Sequence, residues 1–257
     1  MRRPGLLSFF VPHHGKSSTM SEHIVKSYEQ ELSLLDGKIS QMGGLAEQLV
    51  GEAFDSLASH NPTRAKATVA SDATIDLLHR ELEEQVILMI ARRQPVANDL
   101  RQVISVLKVA GELERVGDLA KNVAKRAQTV SGETHPKGLL TGLQHMTDLA
   151  SRQLKDVLDA YASRNADRAM QVWRQDQKLD AVYNSVFREL LTYMMEDPRN
   201  IGLCTHLLFV AKNLERIGDH TTNIAETVTY MTRGALPEGE RPKGDLTSST
   251  LLSSPIS

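Results

Sequence analysis

Four pairs of acidic residues, each spaced four positions apart, are the part of this sequence best suited to chemistry. The pairs are Asp72 with Asp76, Glu114 with Asp118, Asp176 with Asp180, and Glu215 with Asp219. On an α-helix this spacing puts both carboxylates on one side, where like charges repel unless a cation or a donor neutralises them. Carboxylates are hard oxygen ligands, which suit magnesium, manganese and oxidised iron. The pairs therefore predict metal binding.

Two asparagines extend the acid pairs. At about 100° per residue, Asn122 continues the line that starts at Glu114, and Asn223 continues the line that starts at Glu215. Each line lies on the shoulder of an apolar arc, where partial desolvation raises the cost of an unpaired charge. If the helix that carries Asp72 packs beside the helix that carries Glu114, four carboxylates meet and can hold more than one metal ion.

Two other interpretations remain open at this point. Acid pairs are frequent in helices with 24% charged residues, and Arg115 and Arg216 beside them could form ordinary ion pairs on a solvated face. A carboxylate-metal enzyme such as an oxidase or phosphatase would use Glu-x-x-His motifs. Only Asp76-x-x-His79 comes close, and the second copy has Tyr183 at the histidine position. The recurrence of the four-acid layout favours metal binding without catalysis.

The sequence is a tandem repeat, the first feature to seek in a helical chain. Residues 109–124 read VAGELERVGDLAKNVA and residues 210–225 read VAKNLERIGDHTTNIA, with nine of sixteen positions identical. Upstream the match continues at an offset of 104 residues, through pairs such as Asn61 and Asn165. Within the block itself the offset is 101 residues. The two offsets therefore differ by three residues, and an insertion of that size belongs in a loop.

Each copy predicts three long helices. Asn61-Pro62 and Asn165 are signals for a helix start, and Pro95 and Pro198 mark breaks. The predicted helices cover 21–59, 63–92 and 97–129 in the first copy, and 139–163, 166–196 and 199–233 in the second. Long helices with short connections pack antiparallel. The predicted fold class is all-α, with two tandem three-helix bundles related by an internal repeat.

The predicted domain division follows from the repeat. It comprises a disordered leader (1–20), a first bundle (21–130), a linker (131–137), a second bundle (138–233) and a disordered tail (234–257). The leader has weak signal-peptide character, but Pro12 and two histidines follow its short apolar run and no small-residue cleavage site appears. Met20 offers an alternative start. Gly, Pro, Ser and Thr dominate the tail, which is typical of a solvated segment.

Composition excludes several classes of protein. The 257 residues include 32 acidic and 30 basic side chains, and this balance argues against a broad nucleic-acid-binding surface. The single Cys204 rules out an internal disulfide and fits a reducing compartment. The longest uncharged stretches are too short to span a membrane. A cytoplasmic protein is therefore expected.

The segments GELERVGDLAKN and KNLERIGDHTTN closely resemble the duplicated Glu/Asp-x-x-x-Asp signature of the PhoU family, the accessory proteins of phosphate-specific transport. The resemblance covers residues 22–232 and includes RRQPVANDLR and LLTYMMEDPR. It implies a cytoplasmic, usually dimeric protein that binds multinuclear metal clusters at the signature acids. It also implies a negative regulator that links the phosphate ABC transporter to a membrane sensor histidine kinase and keeps phosphate-starvation genes off.

Carried onto this chain, the resemblance implies a set of metal ligands and no catalytic residue. The expected ligands are Asp72, Asp76, Glu114, Asp118, Asn122, Asp176, Asp180, Glu215, Asp219 and Asn223. The expected metals are iron, manganese, magnesium or zinc. The expected partners are the transporter, the kinase and a second copy of the chain, with no nucleic acid and with membrane contact only through the partners.

Overall fold

The computed structural model describes residues 17–133 and 137–239, with side chains described over 27–133 and 138–239. The described residues form six α-helices, one short 3-10 helix at Pro198–Asn200, and no β-strand. The helices are α1 (Ser17–Ala58), α2 (Pro62–Arg93), α3 (Asn98–Thr129), α4 (Lys137–Ala162), α5 (Ala166–Glu196) and α6 (Ile201–Arg233). The predicted all-α class is confirmed. Most of the predicted leader and tail lies outside the described residues.

The helix boundaries differ from the predicted ones by a few residues. α1 is already helical at Ser17, four residues before the predicted start at Ser21, and the residues between them include no Pro or Gly that would stop a helix. α4 already begins at Lys137, inside the predicted linker. α6 begins later than predicted because residues 198–200 form the 3-10 turn, in which Asp197 Oδ1 accepts the Arg199 amide N–H at 3.0 Å. Sequence periodicity does not resolve such details of helix ends.

The second helix of each repeat starts at a predicted asparagine cap. The Asn61 side chain accepts a backbone N–H at 2.9 Å, and the Asn165 side chain accepts one at 3.0 Å. The residues before the caps, His60 and Arg164, have left-handed φ angles of 50° and 51°. The two repeats therefore turn from their first helix into their second in the same way, which the shared Asn predicts.

Each repeat buries a continuous apolar core. The predicted apolar arc of α3 is buried throughout: Val106, Ala110, Leu113, Gly117, Ala120 and Ala124. From α2 the core receives residues at helical spacing, including Leu82 and Val86. This apolar arc is the side of α3 that packs against α1 and α2, and the acidic residues of α3 lie at its edge.

The two bundles contact each other through α3 against α6 and through α1 against α4. α3 and α6 run antiparallel. Near the start of α3, the Arg101 guanidinium lies 5.5 Å from the Tyr230 ring centroid, at the end of α6. Near the end of α3, the Arg126 guanidinium lies 4.5 Å from the ring of Phe209, in the first half of α6. We call the contact between α3 and α6 the seam. On one side of the seam α3 packs against α2, and on the other side α6 packs against α5; these two helix pairs carry the acidic residues.

A polar cluster joins α1 to the end of α4. The Tyr161 hydroxyl donates to Asp36 Oδ1 at 2.6 Å, and the Arg164 guanidinium donates to Asp36 Oδ2 at 2.7 Å. Burial, followed by the neighbouring Asp36 carboxylate, raises the pKa of Tyr161 well above its usual value. The hydroxyl therefore stays protonated and keeps donating to the other repeat.

Candidate metal sites in the two acid clusters

The acidic residues of the first repeat lie along the contact between α2 and α3. We call Asp72, Asp76, Glu114 and Asp118 the first acid cluster. The Lys121 ammonium joins two of them, since its Nζ lies 2.5 Å from Asp72 Oδ2 and 2.5 Å from Asp118 Oδ1. The second and third helices therefore do pack side by side, and a lysine occupies the space between two of the acids.

Asp72 is the most enclosed acid of the first acid cluster, with 2% of its surface exposed. Its Oδ2 accepts a hydrogen bond from Lys121, but its Oδ1 has no donor. Burial raises the pKa of Asp72, and the hydrogen bond and charge of Lys121 oppose that rise. A buried carboxylate oxygen without a donor is unfavourable. This oxygen is the natural place for a further cation or donor to bind.

Glu114 lies at the outer edge of the same cluster. Its carboxylate is 3.3 Å from Arg115 Nε, and another guanidinium nitrogen of Arg115 is 3.5 Å from Asp118. Burial raises the pKa of Glu114 and Asp118 adds to the rise, whereas Arg115 lowers it. Because 62% of the Arg115 side chain is exposed, water screens these ion pairs. The ion pairs of Arg115 with Glu114 and Asp118 are therefore ordinary surface ion pairs. They lie at the outer edge of the cluster and not at its buried end, where Asp72 lies.

The second acid cluster, Asp176, Asp180, Glu215 and Asp219, lies between α5 and α6. Three of its members, Asp176, Asp180 and Glu215, are buried, whereas in the first cluster only Asp72 is buried. Glu215 is 5% exposed. Desolvation raises the pKa of Glu215 to about 7, and the Asp219 and Asp180 carboxylates contribute, against the effect of Lys212. The Asp219 and Asp180 carboxylates are thus close enough to Glu215 to affect its ionisation.

The two clusters carry their lysines at different places. At the position of Lys121 the second repeat has Thr222, whose hydroxyl donates to Asp176 Oδ1 at 3.2 Å. The second repeat instead has Lys212, one turn before its signature acids, with Nζ 2.9 Å from Glu215 Oε2. Glu215 Oε2 is buried and is neutralised by this ion pair, although it accepts no well-aligned hydrogen bond.

The two asparagines point to the seam between the repeats. The Asn223 side chain donates to Glu112 Oε2 at 3.1 Å, and His220 Nδ1 lies 2.6 Å from the same oxygen. Asn122 is exposed and lines a cleft of the seam together with Asn213. In this arrangement the structure brings the acids together within each repeat and does not bring Asn122 or Asn223 to them.

Metal binding requires some movement of these side chains. Among the described residues, no three His, Cys, Asp or Glu side chains already converge on one point as metal ligands would. The chemistry of the clusters nevertheless fits a hard cation, since each offers several carboxylates and one buried carboxylate oxygen that accepts no well-aligned hydrogen bond, Asp72 Oδ1 or Glu215 Oε2.

Sequence reasoning missed Lys121, Thr222 and Glu112. A signal was present for the first two, because they occupy one repeat position within the most similar block and differ in charge. Glu112 gave no such signal, since its role depends on the antiparallel contact of α3 with α6. Cys204 and Trp173 both belong to the apolar core. Cys204 is 1% exposed, and the buried Trp173 donates its indole N–H to Glu226 at 2.9 Å.

Comparison with known proteins places this architecture in a family. The family model described as the PhoU domain matches residues 39–127 and 143–228, one match in each repeat. The chain belongs to the PhoU family. A phosphate-specific transport system accessory protein PhoU homolog from Rhizobium meliloti is 52% identical over 226 residues, 88% of this chain and 95% of that protein. A PhoU homolog of the same description from Caulobacter vibrioides is 48% identical over 230 residues, 89% of this chain and 100% of that one.

Solved PhoU structures share the fold. The crystal structure of PhoU from Pseudomonas aeruginosa has a TM-score of 0.78 at 37% identity, covering 81% of this chain and 100% of that one. The phosphate transport system regulatory protein PhoU from Streptococcus pneumoniae has a TM-score of 0.76 at 26% identity, covering 82% and 99%. The chain is accordingly a phosphate transport accessory and regulatory protein and not an enzyme. No helix within residues 17–133 and 137–239 is long and apolar enough to cross a membrane.

Proposed function

We propose that this PhoU-family chain is a metal-binding negative regulator of phosphate uptake and of the phosphate-starvation response. It works in the cytoplasm as a homodimer and reaches the membrane only through its partners. It acts as an adaptor between the phosphate ABC transporter and its sensor histidine kinase. The relatives named as accessory proteins of phosphate-specific transport support the transport part of this proposal.

The metal part is supported by one observation, a buried carboxylate oxygen in each acid cluster that accepts no well-aligned hydrogen bond. The carboxylates of the two clusters would hold the metal, with Asp72 and Glu215 at the dry end of each. When bound, the metal supplies fixed positive charge with open coordination positions, at which an acidic partner surface or phosphate can bind. The protein contributes the burial and the orientation of the acids.

Regulation then follows from differential affinity. An adaptor transmits a signal only if it binds one conformation of the transporter or kinase more tightly than another. The α3–α6 seam lies between the two acid clusters, so both clusters are carried by one continuous helical layer. Neutralising the acids would change the charge presented on both sides of that seam.

The proposal is tested by deleting the gene in its host and following a reporter driven by a phosphate-starvation promoter. In phosphate-rich medium the reporter should switch on after deletion and switch off again when the wild-type gene is returned. Glu215→Ala with Asp219→Ala should fail to restore repression at equal protein level. The matched control, Glu84→Ala at an exposed position of α2, should restore it. A reporter that stays off in the deletion strain would overturn the regulatory proposal.

A further inference from the structure

The seam joins two copies of the same helix in antiparallel orientation, so each contact across it has an equivalent position in the other half. At the repeat offset of 101 residues, Glu112 corresponds to Asn213. Asn223 corresponds in the same way to Asn122. Glu112 accepts a hydrogen bond from Asn223 in one half, and in the other half their two equivalents line one cleft. The two halves of the seam therefore place different side chains in the same arrangement.

One half of the seam contains its own carboxylate. The Glu112 side chain reaches from α3 to α6, where its Oε2 accepts a hydrogen bond from the Asn223 amide at 3.1 Å. The same oxygen lies 2.6 Å from His220 Nδ1. Donors of the same chain therefore stabilise the negative charge at this position.

The other half is a cleft of about 280 Å³ whose described lining includes no acidic residue. We call it the cationic cleft, and it is lined by Asn122, Lys125, Arg126, Thr129, Phe209 and Asn213. Asn213 lies where the other half has Glu112. Lys125 lies where the other half has Glu226. The cationic cleft thus keeps the amide donor of the arrangement, lacks its carboxylate and adds positive charge.

Arg126 is already oriented in the cationic cleft. Its guanidinium lies 4.5 Å from the Phe209 ring centroid, and its Nη1 lies 3.2 Å from His206 Nδ1. A guanidinium carries several N–H donors in one plane, so these two contacts leave donors for a ligand. Lys125 is exposed and adds a second charge. An ammonium and a guanidinium beside amide donors suit an oxyanion, and Arg binds a carboxylate through two parallel hydrogen bonds.

Phe209 indicates which kind of molecule supplies the oxyanion. It is 48% exposed and forms one wall of the cationic cleft. A free inorganic anion gains nothing from an aromatic ring, whereas a protein segment can bury the ring under an apolar side chain and gain the hydrophobic effect. Aromatic residues and Arg are also enriched among the residues that contribute most to protein–protein binding. The cationic cleft therefore favours an acidic segment of a protein.

We propose that the cationic cleft binds an aspartate or glutamate side chain of a protein partner, in the position that Glu112 occupies in the other half of the seam. An apolar neighbour of that side chain covers Phe209. The inference rests on the adaptor role proposed above and gives that role a docking surface. None of the acids of the two acid clusters lines the cationic cleft, so the docking surface is distinct from the candidate metal sites.

The test measures binding of the full chain to the intact phosphate transporter and to the intact sensor kinase of its host, each in detergent micelles. Asn213→Glu supplies the cleft with an internal carboxylate and should weaken the binding of the wild type's partner by at least about tenfold. Asn213→Gln, of the same size but without the charge, should bind as the wild type does. Lys125→Glu should also weaken binding, whereas Lys178→Glu, the same charge change at an exposed position of α5, should not.

Stability provides a second readout for Asn213→Glu. The new carboxylate should pair with Lys125 and Arg126, so the variant should unfold at a higher urea concentration than Asn213→Gln at low salt. High salt should reduce that difference, because it screens the new ion pairs. An Asn213→Glu variant less stable than Asn213→Gln would show that the cleft does not accept a carboxylate, and it would overturn the inference.

The binding outcomes separate this inference from the proposed function. Equal binding of the wild type, Asn213→Glu and Lys125→Glu to a partner would overturn the inference and leave the adaptor role intact. Binding of the wild type to neither protein would overturn the adaptor role, and the inference with it. Inorganic phosphate titrated alone should not bind in the cleft. Phosphate binding that Lys125→Glu abolishes would identify a free anion as the ligand and overturn the assignment to a protein partner.

Discussion

A Cβ atom at Gly117 would lie 2.9 Å from Asp72 Oδ1. The backbone of α3 therefore approaches α2 closely at the very level of the buried carboxylate. The second repeat has the same feature at Gly218, where a Cβ would lie 2.5 Å from Leu179 Cδ2 and 3.7 Å from Asp176 Oδ1. The glycine of each signature thus lets the third helix pack closely against the second helix, at the level of Asp72 in the first repeat and of Leu179 in the second.

Alanine at either glycine should destabilise the protein. Overpacking of a tight core costs about 1–3 kcal/mol, and the gain in helix propensity from Gly to Ala is about 1 kcal/mol. We expect a net loss that is larger for Gly218→Ala than for Gly117→Ala, because the contact at Gly218 is shorter. Urea unfolding with chelator present measures both. Gly51→Ala in α1, with nothing within 4 Å of the added Cβ, should instead stabilise.

The asparagine caps should each contribute to stability. Replacing a capping Asn with Ala costs about 1 kcal/mol, so Asn61→Ala and Asn165→Ala should each lower the free energy of unfolding by that amount. Asn98→Ala is the control, because Asn98 is exposed at the start of α3, where no side-chain capping bond forms. An equal loss at all three positions would show that the hydrogen bonds at Asn61 and Asn165 are not responsible.

Glu215 should make the metal-free protein less stable as the pH rises. Its pKa is raised from 4.5 to about 7, so between these values the folded state binds more protons than the unfolded state. Its contribution to the free energy of unfolding therefore falls with pH over this window. At 1.36 kcal/mol per pKa unit the full loss is at most about 3 kcal/mol.

Comparison with Glu215→Gln isolates this contribution. The variant should gain stability relative to the wild type as the pH increases from 4.5 to 7, when both are unfolded by urea with chelator present. Glu84→Gln, at an exposed position of α2, should not show that gain. A difference between Glu215→Gln and wild type that does not change with pH would show that Glu215 ionises normally in the folded protein.

The bond from Tyr161 to Asp36 should couple the two repeats. Tyr161→Phe removes the donor to Asp36 Oδ1 and should cost about 1 kcal/mol, the usual net value of a hydrogen bond. A double-mutant cycle with Asp36→Ala measures the pairwise term, which should be favourable. Strictly additive effects of the two substitutions would mean that this bond contributes nothing to holding α1 against α4.

The elements that local chemistry determines were predictable from the sequence. Asn61 and Asn165 cap helices because their side chains bind amides three residues away, and α5 has the predicted ends. The helical conformation of residues 17–20 was not predicted, because Ser21 offered a capping side chain and Ser17, Ser18 and Thr19 offer the same kind of side chain. The charge difference between Lys121 and Thr222 was visible in the aligned repeats, but the ion pairs of Lys121 with Asp72 and Asp118 depend on how α3 rotates against α2. Glu112 joins Asn223 only through the contact between repeats, which single-repeat periodicity does not contain.

Element-resolved metal content per chain tests the central claim most directly. The protein is purified without chelator and analysed beside a variant with Glu114, Asp118, Glu215 and Asp219 all changed to Ala. We predict that the wild type retains metal in stoichiometric amount and that the folded variant retains only background. Trace metal in the wild type after reloading with iron, manganese, magnesium and zinc in turn, or unchanged metal in the variant, would contradict the account.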